Sequence, residues 1–102
     1  LTMNARIEEI DGKYLATLEG EMDTAAALEA EEVLKPIYNS EGKDVIIDCT
    51  NLEYIASSGL RILLSILKGA KANGSKVVMR GMNDDIKNVF KLTGFISIFD
   101  FE

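Results

Sequence analysis

Asp48-Cys49-Thr50-Asn51-Leu52-Glu53-Tyr54-Ile55-Ala56-Ser57-Ser58-Gly59-Leu60-Arg61 is the stretch on which the reading of this chain turns. The apolar residues just before it, Val45-Ile46-Ile47, read as a short buried strand ending at Asp48. The polar residues that follow read as a turn, and Ser57, Ser58 and Gly59 open an apolar helix beginning near Ser58. This order leaves a serine hydroxyl at a helix N-terminus, beside backbone N–H groups with no intrahelical acceptor. Those donors and the helix dipole favour negative charge, so the spot suits a covalent phosphate or a bound anion. The residues alone leave two readings open: Ser57 and Ser58 are simple helix caps, or one of them is a modifiable hydroxyl.

Upstream, Arg6 to Ile10 and Tyr14 to Leu18 alternate loosely around Asp11-Gly12, the pattern of a β-hairpin. Gly20 to Asp23 breaks that pattern, and Asp23 is placed to cap a helix with Ala26, Ala30, Val33, Leu34 and Ile37 on its apolar face. Pro36 is expected to end or bend this helix, since it removes a donor. Downstream, the helix from Ser58 carries Leu60, Leu63, Leu64, Leu67 and Ala70 on one side. Arg61, Ser65 and Lys68 line the other, with Ile62 and Ile66 on the flank. Asn73-Gly74 is a helix stop, Ser75 to Arg80 a second buried strand, and Asn83 the cap of a helix with Ile86, Val89 and Phe90 that Gly94 ends. Ile96 to Phe101 reads as a last edge strand. The order ββαβαβαβ predicts an α/β fold, a mixed β-sheet with helices packed on it and right-handed crossovers. In such a sheet Gly20–Asp23 and Leu52–Ser58 meet at one edge, beyond the strand C-termini.

The 102 residues suffice for one domain, taken as 1–102, with one core. Seventeen acidic residues against eleven basic give a net charge of −6, which argues against direct nucleic-acid binding and suits a basic or mixed protein partner. The longest apolar run, Ile62 to Leu67, is interrupted by Ser65 and too short to insert into a membrane. Leu1 is not an initiator, so a trimmed chain is expected, and no signal peptide is read at its start. One cysteine allows no internal disulfide and fits a cytoplasmic location; Cys49 itself reads as a small buried apolar residue. The absence of histidine removes Ser-His-Asp and Cys-His catalysis and His-containing zinc sites. No general base or metal-ligand cluster stands out, so a non-enzyme without cofactor or metal is expected.

The layout and the Ser57-Ser58-Gly59-Leu60-Arg61 turn resemble the STAS domain family, named for sulfate transporters and anti-sigma factor antagonists. Leu18-Glu19-Gly20-Glu21-Met22-Asp23, the Asp48–Arg61 segment and Val89-Phe90-Lys91-Leu92-Thr93-Gly94-Phe95 carry the resemblance, in the family's order and spacing. Within the family the chain is similar to free-standing bacterial anti-sigma factor antagonists. The resemblance implies that Ser57 is phosphorylated by a serine kinase that is itself the anti-sigma factor. The unmodified antagonist then captures that kinase and frees the sigma factor, and a serine phosphatase resets the modified form. A monomer or weak dimer is expected, with a contact surface drawn from Glu21, Asp23, Asp48, Thr50, Ser57, Ser58, Gly59, Arg61 and Ile62. The chain departs from the family in having Ala56 where Asp often precedes the serine, which removes one nearby negative charge.

Simpler roles stand beside these. Asp23 is also a helix cap, Asp48 a partner for turn donors, Thr50 a turn former and Arg61 part of a solvated stripe. Gly59 allows close approach of backbone or partner, and Ile62 belongs to the core edge unless it is exposed beside Ser57. Two other functions compete: an adaptor subunit of an ABC-type lipid-transport complex, as some free-standing STAS proteins resemble, and a small-ligand binder using the anion-friendly turn.

Overall fold

The computed structural model describes residues 3–102. Two strands open the chain, β1 (Met3–Ile10) and β2 (Lys13–Met22), joined by a two-residue turn. Asp11 and Gly12 both have positive φ, 53° and 75°, the conformation whose twist matches a tight hairpin. Helix α1 (Thr24–Leu34) follows, then a 3-10 turn (Lys35–Tyr38) that holds Pro36 and buries Ile37. Strand β3 (Val45–Ile55), helix α2 (Ser57–Ala72), strand β4 (Val77–Arg80) and helix α3 (Asp84–Thr93) complete the α/β alternation. The expected order and mixed sheet are both present. The five strands lie in chain order, with β1 antiparallel to β2 and the remaining neighbours parallel.

Several boundaries differ from those read in the sequence. Val45 to Asp48 is only the start of β3, and the residues from Asp48 to Ile55, read as a turn, continue the strand. The five steps along β2 from Thr17 to Met22 are matched by seven along β3 from Asp48 to Ile55, so β3 carries two extra residues at register irregularities. Burial beyond Cys49 therefore recurs at Leu52 and Ile55, every third residue, which hides the strand from a period-two reading. Gly20 to Met22 likewise belongs to β2 rather than breaking it. Strand β4 begins at Val77, not Ser75, because Ser75 turns inward, where its hydroxyl oxygen accepts from the buried Ser40 hydroxyl at 2.9 Å. The expected edge strand Ile96–Phe101 begins in a 3-10 turn (Phe95–Ser97) and continues through turn and bend residues, with only β5 (Asp100–Phe101) paired to β4. There Phe95 and Phe99 turn toward Phe90, with ring centroids 6.0 and 5.7 Å away, and aromatic packing takes precedence over strand pairing.

One face of the sheet is sealed by the helices. Ala16, Leu18, Val45, Ile47, Cys49, Val77 and Met79 point into that core and meet Leu63, Ile66, Ile86 and Phe90. Each such aliphatic side chain, fully withdrawn from water, stabilises the fold by about 1.5–3 kcal/mol. Residues of opposite parity, Leu15, Ile46, Asp48, Val78 and Arg80, stay half-buried on the face without helices. In α2 the apolar stripe is wider than its leucines suggested: Ile62 and Ile66 are buried with Leu63 and Leu67. In α1 it is shifted, with Ala26, Ala27, Ala30 and Leu34 buried and Val33 exposed. None of the helices among the described residues is long and apolar enough to cross a membrane.

Candidate functional site

Parallel pairing puts the C-terminal ends of β2 and β3 side by side, and each leads directly into a helix. Met22 pairs with Ile55 in register, and the Ala56 amide donates to the Met22 carbonyl at 2.8 Å. The N-termini of α1 and α2 are thereby held at one edge of the sheet. That of α3 is tied to the same strand by the Asn83 amide group, which donates to the Leu52 carbonyl at 3.2 Å.

The three helices are capped differently. Asp23 accepts the Ala26 N–H at 2.8 Å, and Asn83 accepts the Ile86 N–H at 2.8 Å, each the reading taken from sequence. Such a cap contributes about 1 kcal/mol. Neither Ser57 nor Ser58 is a cap. The N-cap of α2 is Ala56, extended at φ −83° and ψ 167°, with no side-chain hydrogen bond to the helix. Ser57 takes the first helical position and is exposed, whereas Ser58 is half-buried and its hydroxyl has no hydrogen-bond partner among the described residues. The first amides of α2 thus face the edge uncapped by any side chain, next to an accessible hydroxyl.

Around Ser57 the sheet edge is acidic. Glu21 and Asp23 are exposed on the β2 side, and Glu53 on the β3 side. Arg61 is exposed one turn along α2 from Ser57, and makes no ion pair among the described residues.

Four of the expected contact residues are placed elsewhere. Ile62 is 5% exposed and belongs to the core, because the stripe of α2 that faces α1 includes it. Gly59 is buried; an added Cβ would lie 2.5 Å from Met22 Sδ and 2.8 Å from Ile55 Cγ1, so its close approach is internal. Asp48 lies in the Thr17 row, five β2 residues from the Met22 row, or roughly 17 Å at about 3.3 Å per residue. Thr50 stays with it, donating both its amide, at 2.9 Å, and its hydroxyl, at 2.6 Å, to Asp48 Oδ1. Partial burial raises the Asp48 carboxyl, but these two hydrogen bonds and the Arg80 charge outweigh it and hold the carboxyl below the usual range. Cys49 is buried, and desolvation pushes its thiol up to about 12, with the Asp48 charge adding to the effect.

Two exposed apolar side chains border the site and escaped the sequence reading. Tyr54, 51% exposed, pairs in register with Glu21 at the sheet edge; it was hidden while this segment read as a turn. Leu28, 68% exposed, stands on α1; its position outside the Ala26/Ala30 stripe was the available signal.

A family model described as STAS domain matches residues 4–102. The chain is 31% identical over 97 residues to BtrV of Bordetella bronchiseptica, covering 95% of this chain and 84% of the relative. It is 32% identical over 94 residues to the anti-sigma-B factor antagonist of Staphylococcus aureus, covering 90% of this chain and 87% of the relative. The crystal structure of an anti-sigma factor antagonist from Mycobacterium paratuberculosis superposes with a TM-score of 0.79 at 25% identity, over 97% of this chain and 84% of the other.

Proposed function

Because the chain belongs to the STAS domain family, we propose that it is an anti-sigma factor antagonist, a binding module without catalysis of its own, whose docking surface is gated by phosphorylation of Ser57. One observation carries this reading: the Ser57 hydroxyl is exposed at the first position of α2, at a sheet edge where Glu21, Asp23 and Glu53 are already negative. The name borne by the staphylococcal relative supports the same class of partner. In this reading the anti-sigma factor is the serine kinase, a serine phosphatase reverses the modification, and the exchange takes place in the cytoplasm. The contact surface draws on Glu21, Asp23, Ser57 and Arg61, with Gly59 and Ile62 supporting it from within.

Phosphorylation adds about −1.5 to −2 charges near neutral pH. The uncapped amides of α2 accommodate that charge, so the fold survives. A partner surface shaped to a neutral hydroxyl does not accommodate it. Desolvation and like-charge contact then weaken binding by several kcal/mol, on the order of a hundredfold or more. The gate needs no large conformational change.

The test is a titration of the purified anti-sigma factor kinase from the source organism into wild type, Ser57→Ala and Ser57→Asp, with phosphate transfer mapped by mass spectrometry. Wild type and Ser57→Ala bind, Ser57→Asp does not, and the label is found on Ser57. Equal binding by Ser57→Asp removes the gate. In affinity capture from native extract with the same three proteins as baits, an ABC ATPase held by all three points instead to the adaptor role.

A further inference from the structure

From the residue after Ser57 a groove of about 240 Å³ runs between α1 and α2. Its floor is apolar, formed by Ala27 and Ile62, 2% and 5% exposed. Leu28, 68% exposed, forms one rim with most of its side chain in water. Arg61 forms the other rim, and its guanidinium has no anionic partner among the described residues. Glu31, the one acid in the groove lining, is engaged instead by the Tyr38 hydroxyl, which donates to it at 3.0 Å. Ser58 closes the upper end with its hydroxyl unpartnered.

Ser57 and Arg61 are four residues apart on one helix face, about 6 Å along its axis. A partner element that covers Ser57 therefore reaches Arg61 and the groove mouth without a break. Arg61 is one of several cations with no ion pair among the described residues, and as the one that lines this groove it defines the charge that fits beside the apolar floor. An apolar side chain alone would leave Arg61 unpaired under the partner, which costs free energy.

We propose that the α1/α2 groove is the second half of the docking surface, taking an apolar side chain of the anti-sigma factor against the exposed Leu28 above the buried floor, with a neighbouring carboxylate of that protein on Arg61. The inference rests on the function proposed above; Arg61 is shared with the gate's contact surface, and Leu28 lies outside it and tests the groove by itself. Leu28 supplies the anchor contact and Arg61 sets the sign of the residue next to it.

The experiment is calorimetric titration of the purified anti-sigma factor kinase into wild type, Leu28→Asp, Arg61→Glu, Arg61→Lys and Leu92→Asp, beside Ser57→Asp. Leu28 and Arg61 are exposed, so these proteins fold, which circular dichroism and melting curves verify. Leu28→Asp and Arg61→Glu each weaken binding by about tenfold or more, and Arg61→Lys by about threefold or less. Leu92→Asp, at an 80% exposed leucine on α3, leaves it unchanged. Wild-type affinity in Leu28→Asp and Arg61→Glu, with Ser57→Asp still excluded, overturns the groove and leaves the gate standing. An equal loss in Leu92→Asp also overturns it. Normal binding by Ser57→Asp alongside weak groove variants overturns the gate and supports the groove.

Discussion

The Ala56 amide donates to the Met22 carbonyl at 2.8 Å, so the last residue of β2 directly holds the residue that starts α2. This one bond sets Ser57 beside Asp23, although 34 positions separate them in the chain. It also explains why alanine serves as an N-cap here: the backbone of Ala56 is already fixed by β2, and the side chain is not needed to orient the helix.

The missing cap is recoverable. Ala56→Asp introduces an acceptor for the first-turn amides of α2 and places negative charge at the positive end of the helix. The expected gain is about 1 kcal/mol, or a rise of about 5 °C in melting temperature for a domain of this size. Differential scanning calorimetry measures it, and no rise would mean that those amides are already satisfied.

Helix α2 and the 3-10 turn after α1 pack without room for a methyl group. A Cβ added at Gly69 would lie 1.6 Å from the Tyr38 carbonyl oxygen, and backbone cannot step aside as a side chain can. Gly69→Ala is expected to cost about 3 kcal/mol in urea unfolding. At Gly59 the nearest atom is the flexible thioether of Met22, so Gly59→Ala costs less than Gly69→Ala.

Asp48 gives the acid limb of stability a defined origin. Its carboxyl is held below the ordinary aspartate value in the folded chain, by the Thr50 hydrogen bonds and Arg80 acting against partial burial. A depressed folded value means that the contribution is present above about pH 4 and is lost as pH falls through the folded value. In Asp48→Asn the decline in unfolding free energy below about pH 4 is shallower than in wild type. Urea titrations at several acidic pH values compare the two slopes, and identical slopes would remove Asp48 from the account.

What could be read from residues alone was the part encoded locally. Asp11-Gly12 specifies its turn, Asp23 and Asn83 their caps, and the leucines of α2 their face, because each signal lies within a few positions of its effect. The far half of β3 was illegible because its bulges shift burial to Leu52 and Ile55. That error carried into the site. Asp48 and Thr50 were drawn toward Ser57 by treating a strand as a turn, and Tyr54 was lost with them. Ile62 is legible only as far as the core edge, because whether a flanking isoleucine is wet depends on how closely α1 packs, which no pattern within α2 records; the structure buries it.

Strands that stand in the sheet in their order of synthesis have a temporal consequence. Each new strand joins the free margin left by its predecessor, so no completed pair has to open to admit a later arrival. Both halves of the sheet edge that carries Ser57 are made by the time α2 has emerged, while β4, α3 and the aromatic cluster around Phe90 are still to come. The nascent chain can therefore join Met22 to Ala56 before β4 and α3 have left the ribosome.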